Sequence, residues 1–412
     1  MAERLNEIGR TGLNHWGGRI SEEFLPELRG TQGVRVYTEM AENDDVVGAI
    51  LFAIKMLIRQ ASWSVQAGGK EKSDIKAAEF VESCLHDMTS TWTDTISEIL
   101  SFLPYGWSVV ELCYKRRMGH KRDVRLDSKF DDGLIGWLKL PLRSQESLYE
   151  WEFDEHDNLT AFVQMPAPRF EIIRIPTEKF LLFRTESRKD NPEGRSVLRN
   201  AYRAWFFKKK IQELEGVGIE RDLAGFPVPT APEGLEIWSP ANAGLLAKCN
   251  DFVSNIRRDS LEGLTIPAGW KLELLSTGGA RQFDTSAIIS RYDNRIAMTV
   301  LADFLFLGHE AVGSFALSSD KTELFAMAIG AYLDIICETF NRNAIPRLIE
   351  LNAKHFAGLS EYPKLIHGDI ETQDLTQLGA FLKETVGLGL ITPDDSLEEF
   401  LREQASLPMK TD

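Results

Sequence analysis

The sequence predicts an α+β fold: an antiparallel-sheet domain, followed by long helices that carry a small α/β unit between them. Three observations predict it. Five short β-type runs follow one another between Gly133 and Arg184 with no helical segment between them, and strands so closely spaced pair antiparallel. Two long stretches of helical periodicity flank a proline-rich excursion at residues 222–284. A third helical stretch and a helical tail close the chain. With 412 residues, 43% of them hydrophobic, two or three folding units of roughly 150 residues each are expected.

Taken in order, residues 1–40 carry Trp16-Gly17-Gly18, Pro26 and Gly30, and read as an irregular arm of the kind that lies on a neighbouring subunit. Asn43-Asp44-Asp45 is a helix N-cap signal. Behind it Val46, Val47, Ile50, Leu51, Ile54, Leu57 and Ile58 repeat at helical spacing, one apolar face. Trp63 and Val65 alternate with polar residues as a short strand. Thr91 to Leu103 is a second amphipathic helix, and Pro104-Tyr105-Gly106 turns the chain into the strand Trp107 to Tyr114. The five later strands are Ile135 to Leu140, Tyr149 to Phe153, Leu159 to Gln164, Phe170 to Ile175 and Phe180 to Phe183. The first 190 or so residues thus form one α+β domain.

The loop Asn191 to Ser196 ends in an N-cap, and a long helix is predicted from Val197 to Arg221, roughly 37 Å at 1.5 Å per residue. Pro227, Pro229 and Pro232 end it. A capped helix from Pro240 to Arg257 and a strand from Trp270 to Leu275 make up the small unit. The second long helix starts at Thr285, with Ile288, Ile289, Tyr292, Ile296, Val300, Leu301 and Phe304 inward. Gly308 to Ser319 reads as a Gly/Ser-punctuated loop, and Asp320 as the cap of a third helix, Lys321 to Asn343, ended by Pro346. Residues 369–412 read as wholly helical.

Composition excludes several functions. The chain holds 62 acidic and 47 basic side chains, a formal charge of -15, whereas a simple duplex-binding module is basic because phosphate contacts need Lys and Arg. An acidic surface still suits a wall past which DNA must slide. Cys84, Cys113, Cys249 and Cys337 form no CxxC pair, so neither a zinc site nor a redox dithiol is expected. No signal-peptide h-region lies in Met1 to Arg10, and the most apolar stretch, Ile296 to Leu307, contains Asp303 and falls short of the ~20 residues of a membrane span. A soluble chain made in the cytoplasm, with no membrane partner, is expected. No nucleotide loop, HExxH or GxSxG motif occurs, and the histidines never sit at ligand spacing. Asp44-Asp45, Asp131-Asp132 and Asp394-Asp395 sit at loops or helix starts, where Asp caps free N–H groups. Neither a catalytic residue, a metal nor a cofactor is therefore assigned. The alternative is a metal-dependent nuclease or transferase using one of these acidic pairs.

The order of elements resembles that of tailed-bacteriophage portal proteins, the ring-shaped head-tail connectors, and in particular the Mu-like portal group. Three stretches carry the resemblance: AENDDVVGAILFAIKMLIRQASWSVQ, IPTEKFLLFRTESRKDNPEGRSVLRNAYRAWFFKKKIQELE and LITPDDSLEEFLRE. It covers residues 30 to 405 or so. The resemblance implies a wing at residues 1–195, stem helices at 196–221 and 285–307, a clip at 222–284, a tunnel loop at 308–320, and a tunnel helix with a helical crown at 321–412. It further implies a non-enzymatic closed ring, typically of about twelve subunits with head-to-tail contacts. Such a ring sits at one capsid vertex of the virion after assembly in the host cytoplasm. Double-stranded DNA passes through it non-specifically during packaging and ejection. Its implied partners are the terminase large subunit, a head-completion adaptor, and the major capsid and scaffolding proteins, and it nucleates assembly.

Candidate site residues follow from that frame. In the tunnel loop they are His309, Glu310, Gly313, Ser314, Phe315, Ser318 and Ser319, with glycines for hinge motion, hydroxyls for weak phosphate contact and Glu310 to limit sticking. On the stem they are Lys208, Lys209 and Lys210, beside Arg199 and Arg203, and then Arg291 and Arg295; a solvated or salt-bridged helix face is the plainer reading of the lysine run. Tyr202, Trp205, Phe206 and Phe207 are expected to pack between the stem helices. In the clip, Trp238 and Trp270 are the candidate interface anchors.

Overall fold

Asp44 opens the first long helix of the sheet domain by accepting hydrogen bonds from the N–H groups of Val46 (3.1 Å) and Val47 (3.0 Å), the predicted cap. The computed structural model describes residues 9–121, 123, 126–224, 226–255, 266–275, 284–300 and 315–368. The chain divides into two units, one of Met1–Asn200 with Thr299–Asp412, the other of Ala201–Met298.

In the first unit, β1 (His15–Trp16) and β2 (Arg19–Ile20) form a small hairpin whose Gly18 carbonyl accepts from Trp151 N–H at 2.8 Å. The expectation of an irregular N-terminal arm is corrected here. The hairpin lies on its own chain, and α1 (Gly30–Asn43) is a regular helix that buries Val34, Tyr37 and Met40. Then come α2 (Asp45–Gln60), β3 (Trp63–Gln66) and α3 (Lys72–His86), the last absent from the sequence expectation. The predicted helix from Thr91 to Leu103 is two pieces, α4 (Trp92–Ile99) and α5 (Phe102–Tyr105). Proline has no N–H to donate, so Pro104 leaves the carbonyl of Leu100 without its usual helical partner. Leu103 N–H takes that carbonyl instead, at 3.0 Å, and tightens the turn.

The strands are β4 (Trp107–Glu111), β5 (Cys113–Arg116), β6 (Ile135–Lys139), β7 (Leu142–Arg143), β8 (Leu148–Phe153), β9 (Leu159–Gln164), β10 (Ile173–Pro176) and β11 (Phe180–Arg184). All their pairings are antiparallel, as expected. They form sheets ordered β10-β9-β8 and β11-β4-β7, and the pair β5-β6. The strand predicted over Trp107 to Tyr114 breaks at Leu112, so its halves serve different sheets. Trp107, Val109, Trp151, Phe162, Ile175 and Phe180 form the core between the two three-stranded sheets. Trp107 and Trp151 meet edge to face at 5.1 Å, and Trp151 and Phe162 at 5.3 Å. Each such pair is worth about 0.5–1.5 kcal/mol beyond its buried area.

The loop after β11 closes on the turn after α5. Gly106 has φ +89 and Gly194 φ +50. A Cβ on Gly194 would stand 2.2 Å from the Gly106 carbonyl oxygen, so glycine is required on steric grounds as well as for the left-handed backbone. Ser196 donates to the Pro104 carbonyl (2.6 Å) and accepts from Leu198 N–H (3.0 Å).

The second unit contains α6 (Tyr202–Ala224), β12 (Phe226–Thr230), α7 (Ala243–Asn255), β13 (Lys271–Leu275) and α8 (Thr285–Thr299). The predicted start of α6 at Val197 is corrected to Tyr202. Val197 N–H bonds Leu103 O at 3.0 Å, which holds residues 197–201 in turns. The chain then returns to the first unit with α9 (Phe315–Thr339), a π turn over Phe340–Ala344, α10 (Ile345–Leu351) and β14 (Lys364–His367).

Two further expectations are corrected on this return. Phe315, Ser318 and Ser319 belong to α9 rather than to a loop, so Asp320 lies inside the helix. Pro346 does not end the run either. The π turn widens the ladder just before it, and the proline sits in the first turn of α10, where its missing N–H costs little. His309, Glu310, Gly313, Ser314, the Asp394-Asp395 pair and the helical tail at 369–412 lie outside the described residues.

Phe325, Ile329, Leu333, Ile336 and Phe340 make the buried face of the α9 run. Phe340 meets Trp92 (5.3 Å), Trp137 (6.1 Å) and Phe183 (6.0 Å). Among the described residues one helical stretch, Leu324–Leu351, is long and apolar enough by length and composition to cross a membrane. Its buried face is that of a core helix, because β14 pairs with β3 alongside it. Asn341 receives Leu365 N–H (2.7 Å) and donates to Leu365 O (2.9 Å). Asn352 does the same for Ile135 of β6, at 2.9 Å each way. Each amide side chain thus acts as a strand partner and ties the C-terminal helices to a sheet.

Candidate functional site

The second unit carries the stem and clip candidates. Lys208 of α6 meets Asp293 of α8, with Nζ to Oδ1 at 2.6 Å. Thr285 donates to Glu215. Residue number rises along α6 as it falls along α8, so the two helices run antiparallel. Phe207 stacks on Tyr292 at 6.3 Å and 19°. At 1.5 Å per residue α6 is about 34 Å long, which makes it the longest rod in this unit.

The structure sorts the five predicted stem cations. Lys208 is withdrawn: its side chain is 1% exposed, which corrects any view of it as a surface cation and fits the salt-bridged alternative. A lysine so placed needs its acid, since an unpaired buried charge is costly. Lys209 is half-buried, 5.4 Å above the Trp205 ring. Lys210 is exposed and pairs with Glu213 at 2.7 Å. Arg291 and Arg295 are exposed, one turn apart, with their guanidinium carbons 5.4 and 5.9 Å from the Tyr292 ring. Tyr292 thereby has both Phe207 and two guanidinium groups close to its ring.

Arg199 is corrected. It precedes α6 and forms a two-pronged pair with Glu23, at 2.6 and 2.7 Å. Of the four aromatics expected to pack between helices, Trp205 is buried and Phe207 reaches Tyr292, whereas Phe206 and Phe207 keep 40% and 42% exposure.

At the far end of α6, β12 and β13 pair antiparallel from Phe226 opposite Leu275 to Thr230 opposite Lys271. Because proline cannot donate, Pro227 and Pro229 direct the donating positions of β12 to Phe226, Val228 and Thr230. The prolines also blunt the free edge against further strand addition. Trp238, in the turn before α7, is 79% exposed, while Trp270 is half-buried. The sequence flagged both equally; exposure favours Trp238 as an anchor for a partner.

The two acidic pairs within the described residues have structural duties. Asp44 caps α2, and Asp132 binds Arg117 at 2.8 Å. Among the described residues no group of three or more His, Cys, Asp or Glu side chains is placed to hold a metal. The four cysteines are free, Cys84 and Cys337 buried and the other two half-buried. Sequence reasoning missed a buried pair in the first unit. Asp87 binds Lys115 Nζ at 3.2 Å while it accepts from Ser128 Oγ (2.7 Å) and Lys129 N–H (2.8 Å). Nothing in the local sequence announces it, because Asp87 follows α3 while Lys115 lies in β5, with α4, α5 and β4 between them.

Residues 34–404 match the model of a family described as the portal protein of Mu bacteriophage. The chain belongs to that family. Solved structures share the portal fold at low identity. One is from the virion of a native gene transfer agent particle, with TM-score 0.52 and 9% identity over 98% of this chain and 97% of that one. Another is from the neck of an empty particle of that agent, computed with C6 symmetry, with TM-score 0.51 and 8% identity over 91% and 94%. Portal proteins are structural connectors between head and tail, and this portal is a connector and not an enzyme. The metal-dependent nuclease or transferase alternative is thereby set aside.

Proposed function

We propose that this portal closes into a ring of about twelve copies with head-to-tail contacts, at one capsid vertex of a virion, after assembly in the host cytoplasm. Double-stranded DNA passes through its bore during packaging and ejection. The match of residues 34–404 to the portal family carries this reading. The sheet unit serves as wing and, in its C-terminal part, as tunnel wall and crown. The helices α6 and α8 serve as stem, and the segment between them, within residues 222–284, as clip. The clip receives the terminase large subunit and later the head-completion adaptor, with Trp238 as anchor. Capsid and scaffolding proteins meet the ring as the shell nucleates around it.

The physical demand is passage without grip. A net charge of -15 limits non-specific adhesion, because phosphate contacts grow with every free Lys and Arg. Lys208 and Lys210 are tied to acids in the same unit, which leaves Arg203, Arg291 and Arg295 among the exposed cations of the described stem for light phosphate contact. Native mass spectrometry with negative-stain imaging tests the reading. Rings with a central hole are expected; a chain that stays monomeric across concentration and salt overturns it. Terminase binding is expected to fall with Trp238→Ala while ring size is unchanged.

A further inference from the structure

The connection from β9 to β10 displays a cluster of apolar side chains to solvent. Met165, Phe170, Ile172 and Ile173 are 38%, 61%, 61% and 42% exposed. Phe170 stands at φ +54, a left-handed conformation that strains a bulky residue. Its N–H bonds the Pro166 carbonyl at 2.9 Å, so the turn is held in shape. A strained backbone that displays an aromatic ring to water is unfavourable in the isolated chain. It becomes favourable once a partner buries that ring.

The same unit holds a fitting recess. A cavity of ≈ 620 Å³ opens between α10 and the turn before β14, with Ile349, Phe356, Leu359, Tyr362 and Pro363 in its lining. Its rim carries Glu350 and Glu361, and Lys364 pairs with Glu361 at 3.4 Å. On the turn, Arg174 is paired to Glu152 at 2.5 Å, and Arg169 and Glu171 flank Phe170, all exposed. Among the described residues Arg169 and Glu350 form no ion pair. The turn therefore offers the Arg169 cation beside its ring, and the recess the Glu350 carboxylate, with Arg347 as its electrostatic neighbour, beside its mouth.

We propose that the Met165–Ile173 turn of one copy seats in the α10–β14 recess of the next copy, with Phe170 as the buried anchor and Arg169 beside Glu350. This rests on the ring reading. A ring with head-to-tail contacts needs two unlike, complementary surfaces on each chain, and this unit supplies a knob and a hole of matching polarity and opposite charge. Aromatic side chains that fill apolar pockets dominate interface energetics.

The test uses the full chain. In Phe170→Glu/Ile172→Glu, the fraction assembled into rings is expected to drop on the order of tenfold or more, with circular dichroism unchanged because both side chains are exposed. In Arg169→Cys/Glu350→Cys, mild oxidation is expected to give a ladder of covalently linked chains, and each single cysteine variant none. Rings from the charge variant at wild-type yield overturn the proposal. So do rings of the double-cysteine variant that run as monomers after oxidation. If the charge variant forms normal rings that fail to enter capsids, the turn belongs to the shell protein and the proposal is likewise overturned. A wild-type chain that forms no rings instead refutes the ring reading, and this contact with it.

Discussion

The two units solve the problem of apolar surface in opposite ways. The sheet unit buries its large side chains within one chain: Trp137, Trp151, Phe162 and Phe183 are at most 1% exposed. The helical unit leaves Leu214 at 69%, Val217 at 46% and Met298 at 60% exposure. A long helix with one wet apolar stripe is marginal alone. The sheet unit is thus held by its own packing, and the helical unit gains most from neighbours. Each unit also has exceptions: the sheet unit leaves Trp16 at 88% and Phe24 at 83% exposure. It also exposes Phe170, and the helical unit buries one lysine.

The sharpest break in the comparison is Phe162→Ala. Loss of a ring from the sheet core is expected to cost about 3–5 kcal/mol, read as a lower denaturant midpoint of the sheet transition. Lys208→Met comes next. It leaves Asp293 inside without its cation and is expected to destabilise the helical unit by about 3 kcal/mol. Lys208→Met/Asp293→Leu is expected to recover most of that, because an apolar pair of similar volume needs no counter-charge. Equal losses in the single and double variants would refute the pairing argument. Asn352→Leu is expected to cost about 2 kcal/mol, since it strands both backbone groups of Ile135. Hydrogen exchange should localise the loss to β6.

The smallest effect is a pH dependence. The Glu193 carboxyl lies against Trp151, whose Nε1 donates to it at 3.2 Å. Burial pushes its pKa up to about 7, above an ordinary value near 4.3. The folded state therefore binds the proton more tightly than the unfolded one. The resulting stabilisation is complete below about pH 4 and is lost as pH rises through about 7. Glu193→Gln should flatten the stability profile over that window; an unchanged slope in urea titrations at pH 5 and pH 7.5 would count against it.

Much of this fold was legible where a signal is local. The apolar spacing behind Asp44 marked α2, short β-type runs between turn residues marked β8, β9 and β11, and the prolines after residue 225 marked the end of α6. Some local signals were present and passed over. Ala77, Phe80, Val81, Cys84 and Leu85 repeat at helical spacing in α3. Val34, Tyr37 and Met40 do so in α1, where Gly17, Gly18, Pro26 and Gly30 gave the appearance of an irregular arm. Gly33 is there for room: a Cβ would stand 2.2 Å from the Leu28 carbonyl oxygen.

By itself the sequence determined the α+β class, the absence of nucleotide and metal motifs, the family, and the order of sheets and helices, because periodicity, capping and turn chemistry act over a few residues. Only the tertiary structure decided which of three adjacent lysines is buried, since Asp293 reaches Lys208 from another helix. It also decided that β14 completes β3, that Asn341 and Asn352 stand in as strand partners, and that Phe170 is displayed while Phe162 is hidden. Each of these depends on groups far apart in the chain meeting at hydrogen-bond or van der Waals distance, and no local pattern encodes such a meeting.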